Sequence, residues 1–300
     1  MICRVDEARG SVEESPLISD RADERTPSLE NRVARQWVSE PDTLGHRSGS
    51  LRDRTLLGWM QEELGRSGAR SAALDVGCAF GNHLFMLNDR LGLDPAIRLV
   101  GVDLSEHGLP FARAFAAEVP GYENCEFHQA DLTAGLPFAE GTFAVSNLAD
   151  VLEHLERPVA ALAELARVTE RGGAVLVSTP VRDSAFKRAS RVVDRLSRGR
   201  ISRSYYAGKG ASVGDHGHAV MHVDAGHDHI SEMTVPELLT AGRQAGLTAE
   251  DVVPMTVMSG SAWFDRHPTL LAGLLLVEAA HERLARPSWG HGVCVRFRRI

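Results

Sequence analysis

The sequence predicts an α/β protein: a mostly parallel sheet with helices on both faces, in one large domain. Short apolar runs recur at 71–76, 98–103, 124–129, 143–148 and 173–178, and helical patterns at 82–92, 105–118 and 157–169 separate them. Strands alternating with helices in this way are the signature of βαβ units, whose crossovers cover both faces of a parallel sheet. Size agrees, because 300 residues with 43% hydrophobic content suit a single core of up to roughly 250 residues better than two full domains.

Residues 1–30 are rich in Glu, Asp, Arg, Ser and Pro, which predicts a flexible tail ahead of a domain spanning 31–300. Leu29, Val33 and Trp37 recur every four residues and give a short helix one apolar face. A second helix is expected from Ser50 to Leu64, with Leu51, Leu56, Leu57 and Met60 inward, before a glycine-containing turn into the first strand. The five strands and their helices follow. The rhythm then breaks, and 182–232 is too long for a connection in a compact domain, so it reads as an inserted cover or lid. Regular pattern resumes with a helix at 236–247, a strand at 248–257, a long apolar helix at 268–285 and a final strand, GVCVRFRRI.

Composition narrows the function. A formal charge of −7 argues against broad nucleic-acid binding, which needs a net basic surface to displace phosphate counterions. Cys3, Cys78, Cys125 and Cys294 lie far apart with no C-x-x-C pair, so neither a zinc knuckle nor a disulfide framework is suggested and a reducing compartment fits. The first residues lack the apolar run of a signal peptide, and no later stretch approaches ~18 apolar residues, so a soluble cytoplasmic protein with no membrane partner is expected.

At ALDVGCAFGNHLFML, residues 73–87, an apolar strand ends in Asp75, a turn passes through Gly77 and Gly81, and a helix starts at once. Glycine lets backbone approach a ligand closely, and a helix start offers free N–H groups. A nicotinamide-binding turn would read G-x-G-x-x-G, which this turn does not. The segment resembles motif I of the class I S-adenosylmethionine-dependent methyltransferases, an acidic residue, any residue, then Gly-x-Gly-x-Gly, with Ala79 at the middle glycine. Downstream, LVGVDLS ends a strand in Asp103, where a carboxylate can accept hydrogen bonds from both ribose hydroxyls. CEFHQADL leads to Asp131. Leu136–Phe138, Val151–Leu155, Glu164–Val168 and Gly172–Gly173 follow the family's LPF, VLEHL and RVLKPGG order, with Ala144 where an aspartate is usual. HISEMTVPELL, from His229, resembles its H-V-R-x-F-T-P-E-E-L.

The resemblance covers 70–257 and implies a Rossmann-like class I methyltransferase fold with a seven-stranded sheet and S-adenosyl-L-methionine as cofactor. It implies cofactor contacts from Asp75, Gly77, Cys78, Gly81, Asp103, Leu104, Asp131, Leu132 and Ala149, with Asp103 on the ribose, Asp131 on the adenine amino group and Leu132 on the ring. No residue is assigned to a metal.

Methyl transfer from a sulfonium is a direct displacement, so the acceptor atom must be held ~3 Å from the methyl carbon and in line with the sulfur. A hydroxyl or protonated amine also needs a base, and histidine's ordinary pKa near ~6.5 suits that work. His154, just past the fourth strand, and His229, at the family's histidine, are the catalytic candidates; His83 is expected to cap or line the cofactor helix. The run DHGHAVMHVDAGHDH, ending at His229, could converge on a divalent ion, but its spacing is not metal-specific, so a polar loop facing water or substrate is the reading. Residues 182–209 hold nine Arg or Lys against two Asp, a local +7. Ala185, Phe186, Ala189, Val192, Val193 and Leu196 recur there at helical spacing, which predicts an amphipathic cationic helix facing solvent or an anionic acceptor. The expected function is methyl transfer to the oxygen or nitrogen of a small-molecule acceptor, such as an anionic biosynthetic intermediate. An RNA or protein methyltransferase and a non-methylating S-adenosylmethionine binder are the alternatives. No oligomeric state follows from the sequence.

Overall fold

The computed structural model describes residues 44–67, 71–198, 229–257, 268–284, 287 and 289–300, all within one unit, Glu40–Ile300. The expected tail at 1–30, the helix around Leu29–Trp37, and residues 199–228 of the expected cover, with the histidines from His216 to His227, lie outside the described residues.

Helix α1 (Leu44–Ser67) starts earlier than its pattern suggested and buries Leu56, Leu57, Met60 and Leu64, the face that a 3.6-residue period aligns. The chain then runs β1 (Ala72–Val76), α2 (Asn82–Arg90), β2 (Arg98–Asp103), α3 (Leu109–Glu118), β3 (Cys125–Gln129) and β4 (Phe143–Ala149). A 3₁₀ turn at Leu152–His154 leads to α4 (Pro158–Val168), β5 (Thr169–Pro180) and α5 (Ala185–Ser197). The remainder is α6 (Val235–Gln244), β6 (Leu247–Pro254), α7 (Pro268–Leu284) and β7 (Gly292–Arg299).

The seven strands form one sheet in the order β3-β2-β1-β4-β5-β7-β6. β1 pairs in parallel with β2 and β4, with Leu74 opposite Val100 and Ser146; only β7 runs antiparallel, against both β5 and β6. β1 is buried at every residue and β4 through Leu148, as strands covered on both faces must be. Strand order reverses between β1 and β4. Their carboxyl ends therefore border the crevice where open α/β sheets bind ligands.

Two apolar layers hold these elements. On one side Leu162 and Leu165 of α4 and Leu238 and Ala241 of α6 pack with Val175, Val177, Val295 and Phe297 of the sheet. On the other, Phe85, Phe115, Tyr122 and Phe127 pack edge-to-face or tilted at centroid distances of 4.4–5.5 Å. Gly81 and Gly101 make room for Phe127, whose ring lies 2.7 and 2.6 Å from where a Cβ would stand.

β5 differs from the expected 173–178 because it begins at Thr169 and bulges. Phe143 pairs with Thr169 but Val145 pairs with Ala174, so Glu170–Gly173 loop out of the ladder. Gly172 takes φ +76°, and a Cβ on Gly173 would sit 2.7 Å from the Ala144 carbonyl oxygen. This is the physical reason for the paired glycines, and the bulge packs against the residue that stands in the place of the family's aspartate.

Candidate cofactor and acceptor site

The turn after β1 is held to β2 by backbone: Gly77 N and Cys78 N both donate to the Val102 carbonyl, at 2.8 and 3.1 Å. Gly77 and Gly81 take φ +78° and +82°, which only glycine adopts without steric cost. Ala79, where the middle glycine is usual, also has positive φ, +48°. Its N–H donates to Asp103 Oδ2 at 2.9 Å, and Ser105 N–H donates to Oδ1 at 2.8 Å. Asp103 is thus oriented at the end of β2, and a carboxylate with about four lone-pair sites keeps acceptor capacity beyond those two bonds. Beside it in sequence Leu104 is 65% exposed, an apolar side chain left in water. Cys78 is buried, and burial, then the Asp75 and Asp103 charges, raise its thiol well above the usual range.

Asp131 is half-buried, and its Oδ1 accepts from Thr133 N–H and Oγ1 at 2.8 and 2.7 Å. Leu132 is seated in the hydrophobic core. Ala149 closes β4 at the crevice, half-buried.

A buried polar chain runs beneath the crevice. Asn147 Nδ2 donates to Asp75 Oδ1 at 2.7 Å. His83, the second residue of α2, lies 3.7 Å from Asp75 Oδ2 and hydrogen-bonds Asp53 Oδ1 of α1 at 3.1 Å. Arg52 donates to Asp53 at 2.8 Å and also to Asp150. Burial alone would lower the His83 pKa; the Asp53 and Asp75 carboxylates outweigh it and raise it to about 10. Asp53 is driven the other way, below the usual carboxylate range, because Arg52 and His83 overcome its burial. His83 was expected as a cap or liner; it stands between Asp53 of α1 and Asp75 of motif I, and both carboxylates favour its charged form. Sequence reading passed over Arg52 and Asp53, although Asp53 falls on the same helix face as Leu56, Leu57, Met60 and Leu64, where a charge signals a buried partner.

A second group of titratable residues is built by the turn after β4. Asp150 has φ +53° and is fixed by Ser178, whose Oγ donates to Oδ1 at 2.9 Å and whose carbonyl accepts from Asp150 N–H at 2.9 Å. Glu153 is buried, and its Oε2 accepts from Thr179 Oγ1 at 3.0 Å. Burial, then the Asp150 charge, push the Glu153 carboxyl up to about 7. The Glu153 carbonyl accepts from Ile230 N–H and Ser231 N–H, each at 3.0 Å, which brings His229 to the site. His154 and His229 pack with ring centroids 5.1 Å apart, and Glu153, His154 and His229 each place a ligand atom within 4.8 Å of the others. Glu232 accepts from His229 Nδ1 at 2.7 Å and from Lys187 Nζ at 2.7 Å. The Glu232 bond raises the His229 pKa against the effect of burial. The two predicted histidines, 75 positions apart in the chain (229 − 154), are therefore neighbours. Glu153 was missed, although it immediately precedes His154.

The donor set suits the expected cofactor. Asp75 Oδ2 and Asn147 Oδ1 are buried without hydrogen-bond partners, polar atoms at the sheet's switch point that a bound polar ligand would satisfy. An anchored carboxylate, an exposed leucine and a glycine turn match a diol, an aromatic base and an extended chain. Fold and site together define a class I S-adenosylmethionine-dependent enzyme.

Residues 68–218 match the family described as methyltransferase domain. The chain belongs to that family and is an S-adenosylmethionine-dependent methyltransferase. It is 26% identical over 200 residues to a ubiquinone biosynthesis O-methyltransferase of Aromatoleum aromaticum, covering 67% of this chain and 73% of that one. A shorter likeness, 36% over 108 residues, links it to an uncharacterized methyltransferase of Schizosaccharomyces pombe, covering 34% and 37% of the two chains. Among solved structures it resembles geranyl diphosphate C-methyltransferase from Streptomyces coelicolor A3(2), with a TM-score of 0.53 at 17% identity over 89% of each chain.

Proposed function

We propose that the protein methylates a small-molecule acceptor at oxygen or nitrogen, with the acceptor held over the carboxyl edge of β4. The convergence of Glu153, His154 and His229 at that edge carries the reading: it puts titratable groups beside the switch point where the cofactor is expected. The O-methyltransferase named among the relatives favours a hydroxyl acceptor.

Bound S-adenosylmethionine supplies an electrophilic methyl group on a cationic sulfur. In this reading Asp103 would take the ribose hydroxyls, Asp131 would accept from the adenine amino group, and Leu104 would lie against the ring in place of the expected Leu132, which is buried in the core. Asp75, Gly77, Cys78, Gly81, Leu132 and Ala149 shape the surrounding wall. The Asp75–His83–Asp53–Arg52 chain keeps that wall rigid. With the cofactor bound, the acceptor's lone pair would take the methyl group as the carbon–sulfur bond breaks, and the acceptor's proton would pass to His154. His229, favoured as a cation by Glu232, would hold the acceptor oxygen, so an acidic hydroxyl such as that of a phenol suits the site.

The test is steady-state methyl transfer across a panel of phenols, catechols and amines. His154→Gln should lower kcat about 100-fold or more with cofactor affinity nearly unchanged, since general-base assistance contributes about that much. His229→Gln should act mainly through KM for acidic acceptors. Near-normal turnover in both variants would remove the histidines from the reaction.

A further inference from the structure

Helix α5 leaves an apolar stripe in water beside arginines. Positions 185, 189, 192 and 196 fall on one side of an α-helix; Ala189 is exposed, and Val192 and Leu196 are 57% and 81% exposed. Arg188 and Arg195 are exposed one step around the helix from Val192, and exposed Arg198 follows its last turn. The opposite side is anchored to the body. Ser184 is buried and its Oγ accepts from Lys187 N–H at 3.1 Å, while Lys187 Nζ donates to both Glu232 oxygens at 2.7 Å. These anchors hold the stripe outward.

We propose that α5 docks the protein on an anionic membrane surface, with Val192 and Leu196 entering the boundary between headgroups and acyl chains, Arg195 on lipid phosphates, and Arg188 exchanging the Asp183 carboxylate, 3.8 Å away, for a phosphate. The chemistry selects this partner. A cationic amphipathic helix gains both from apolar burial at the interface and from the negative surface potential. Nucleic acid would reward the arginines but not the exposed valine and leucine. A second copy of α5 would set arginine against arginine. In a chain of net charge −7, the sequence from 182 to 209, which includes α5, sums to +7, so this segment is drawn to an anionic surface that repels the rest. No helix among the described residues is long and apolar enough to cross a membrane, so the contact is with its surface. It departs from the expectation of no membrane partner and stands whichever acceptor is methylated.

Full-length protein sedimented with vesicles provides the test. Binding is expected to vesicles of phosphatidylcholine mixed with phosphatidylglycerol and not to phosphatidylcholine alone, and it should weaken as salt rises. Val192→Ser with Leu196→Ser, and separately Arg188→Gln with Arg195→Gln, should each weaken it about tenfold or more, because each removes one of the two contributions. The thermal shift given by S-adenosylhomocysteine should be unchanged in both, which shows them folded. Absence of binding to anionic vesicles, or binding unaffected by either pair, overturns the proposal. So does binding of an RNA oligonucleotide that the arginine pair abolishes and the apolar pair leaves intact, in place of vesicle binding. Dimerisation abolished by Leu196→Ser, again without vesicle binding, would assign the stripe to a second copy.

Discussion

At the scale of single residues, two carboxylates at the carboxyl edge of the sheet, Asp103 and Glu153, can each be tested alone. Asp103 is oriented by two backbone N–H groups, so Asp103→Ala should weaken binding of S-adenosylhomocysteine by about 1–3 kcal/mol, the loss expected for a charged acceptor. Calorimetric titration reads this directly; an unchanged Kd removes Asp103 from the site. Glu153 is also buried, and burial with the Asp150 charge pushes its carboxyl up to about 7. A group whose folded pKa exceeds its unfolded value near ~4.3 contributes fully below the lower value and loses that contribution as pH rises through the upper one. Wild-type stability should therefore fall between about pH 4.5 and 7.5 by a component that Glu153→Gln lacks. Urea unfolding across that range, with parallel profiles for the two proteins, would refute the assignment.

At the scale of elements, the family's signature strings prove to be clamps. Glu164 Oε1 accepts from Leu136 N–H at 2.6 Å, and Arg167 donates to the Phe138 and Leu136 carbonyls at 2.8 and 3.0 Å while bonding Glu164. One i,i+3 pair on α4 thereby holds the Leu136–Phe138 loop that enters β4. Thr234 and Glu237 form a reciprocal capping box at the start of α6, with a proline in the first turn. Glu237 also receives Arg182, from the residues that follow β5. Thr234→Ala should cost about 1 kcal/mol, the usual value of an N-cap, with the Glu237–Arg182 pair retained. A denaturation midpoint equal to wild type would show that the cap contributes nothing here.

At the scale of the whole molecule, charge joins α1 to the far strand. Glu63 is buried and takes both Arg298 guanidinium nitrogens, at 2.6 and 2.9 Å, while Arg298 also reaches Glu250. Arg296, two residues along and on the same face of β7, binds Glu62 and Asp251 and lies 5.3 Å over the Trp59 ring. Because α1 also carries Arg52 and Asp53, these pairs fix one side of the cofactor crevice. Arg298→Ala should destabilise by about 1–3 kcal/mol, because the buried Glu63 carboxylate keeps only the longer contacts to Arg296 and Arg66, at 3.3 and 3.4 Å, and the double variant Glu63→Gln with Arg298→Met should lose less. Equal losses in the two variants would show that packing, not charge, dominates this contact.

Sequence alone determined the layered α/β plan, the strand positions from β1 to β5 within a few residues apart from the early start of β5, and the glycine turn after Asp75, because period and glycine placement act locally; Asp103 and Asp131 were singled out by the family resemblance. It also placed His154 and His229 at separate motifs. Tertiary structure decided that the two histidines meet, with Glu153 between chain segments, since this depends on Ile230 and Ser231 bonding a carbonyl 77 and 78 positions away. It likewise decided the antiparallel β7, the bulge at Glu170–Gly173, and the partners of Arg52, Asp53, His83 and Glu63. Those pairings join residues far apart in the chain, and a charge seen in sequence does not name the opposite charge that burial will bring to it.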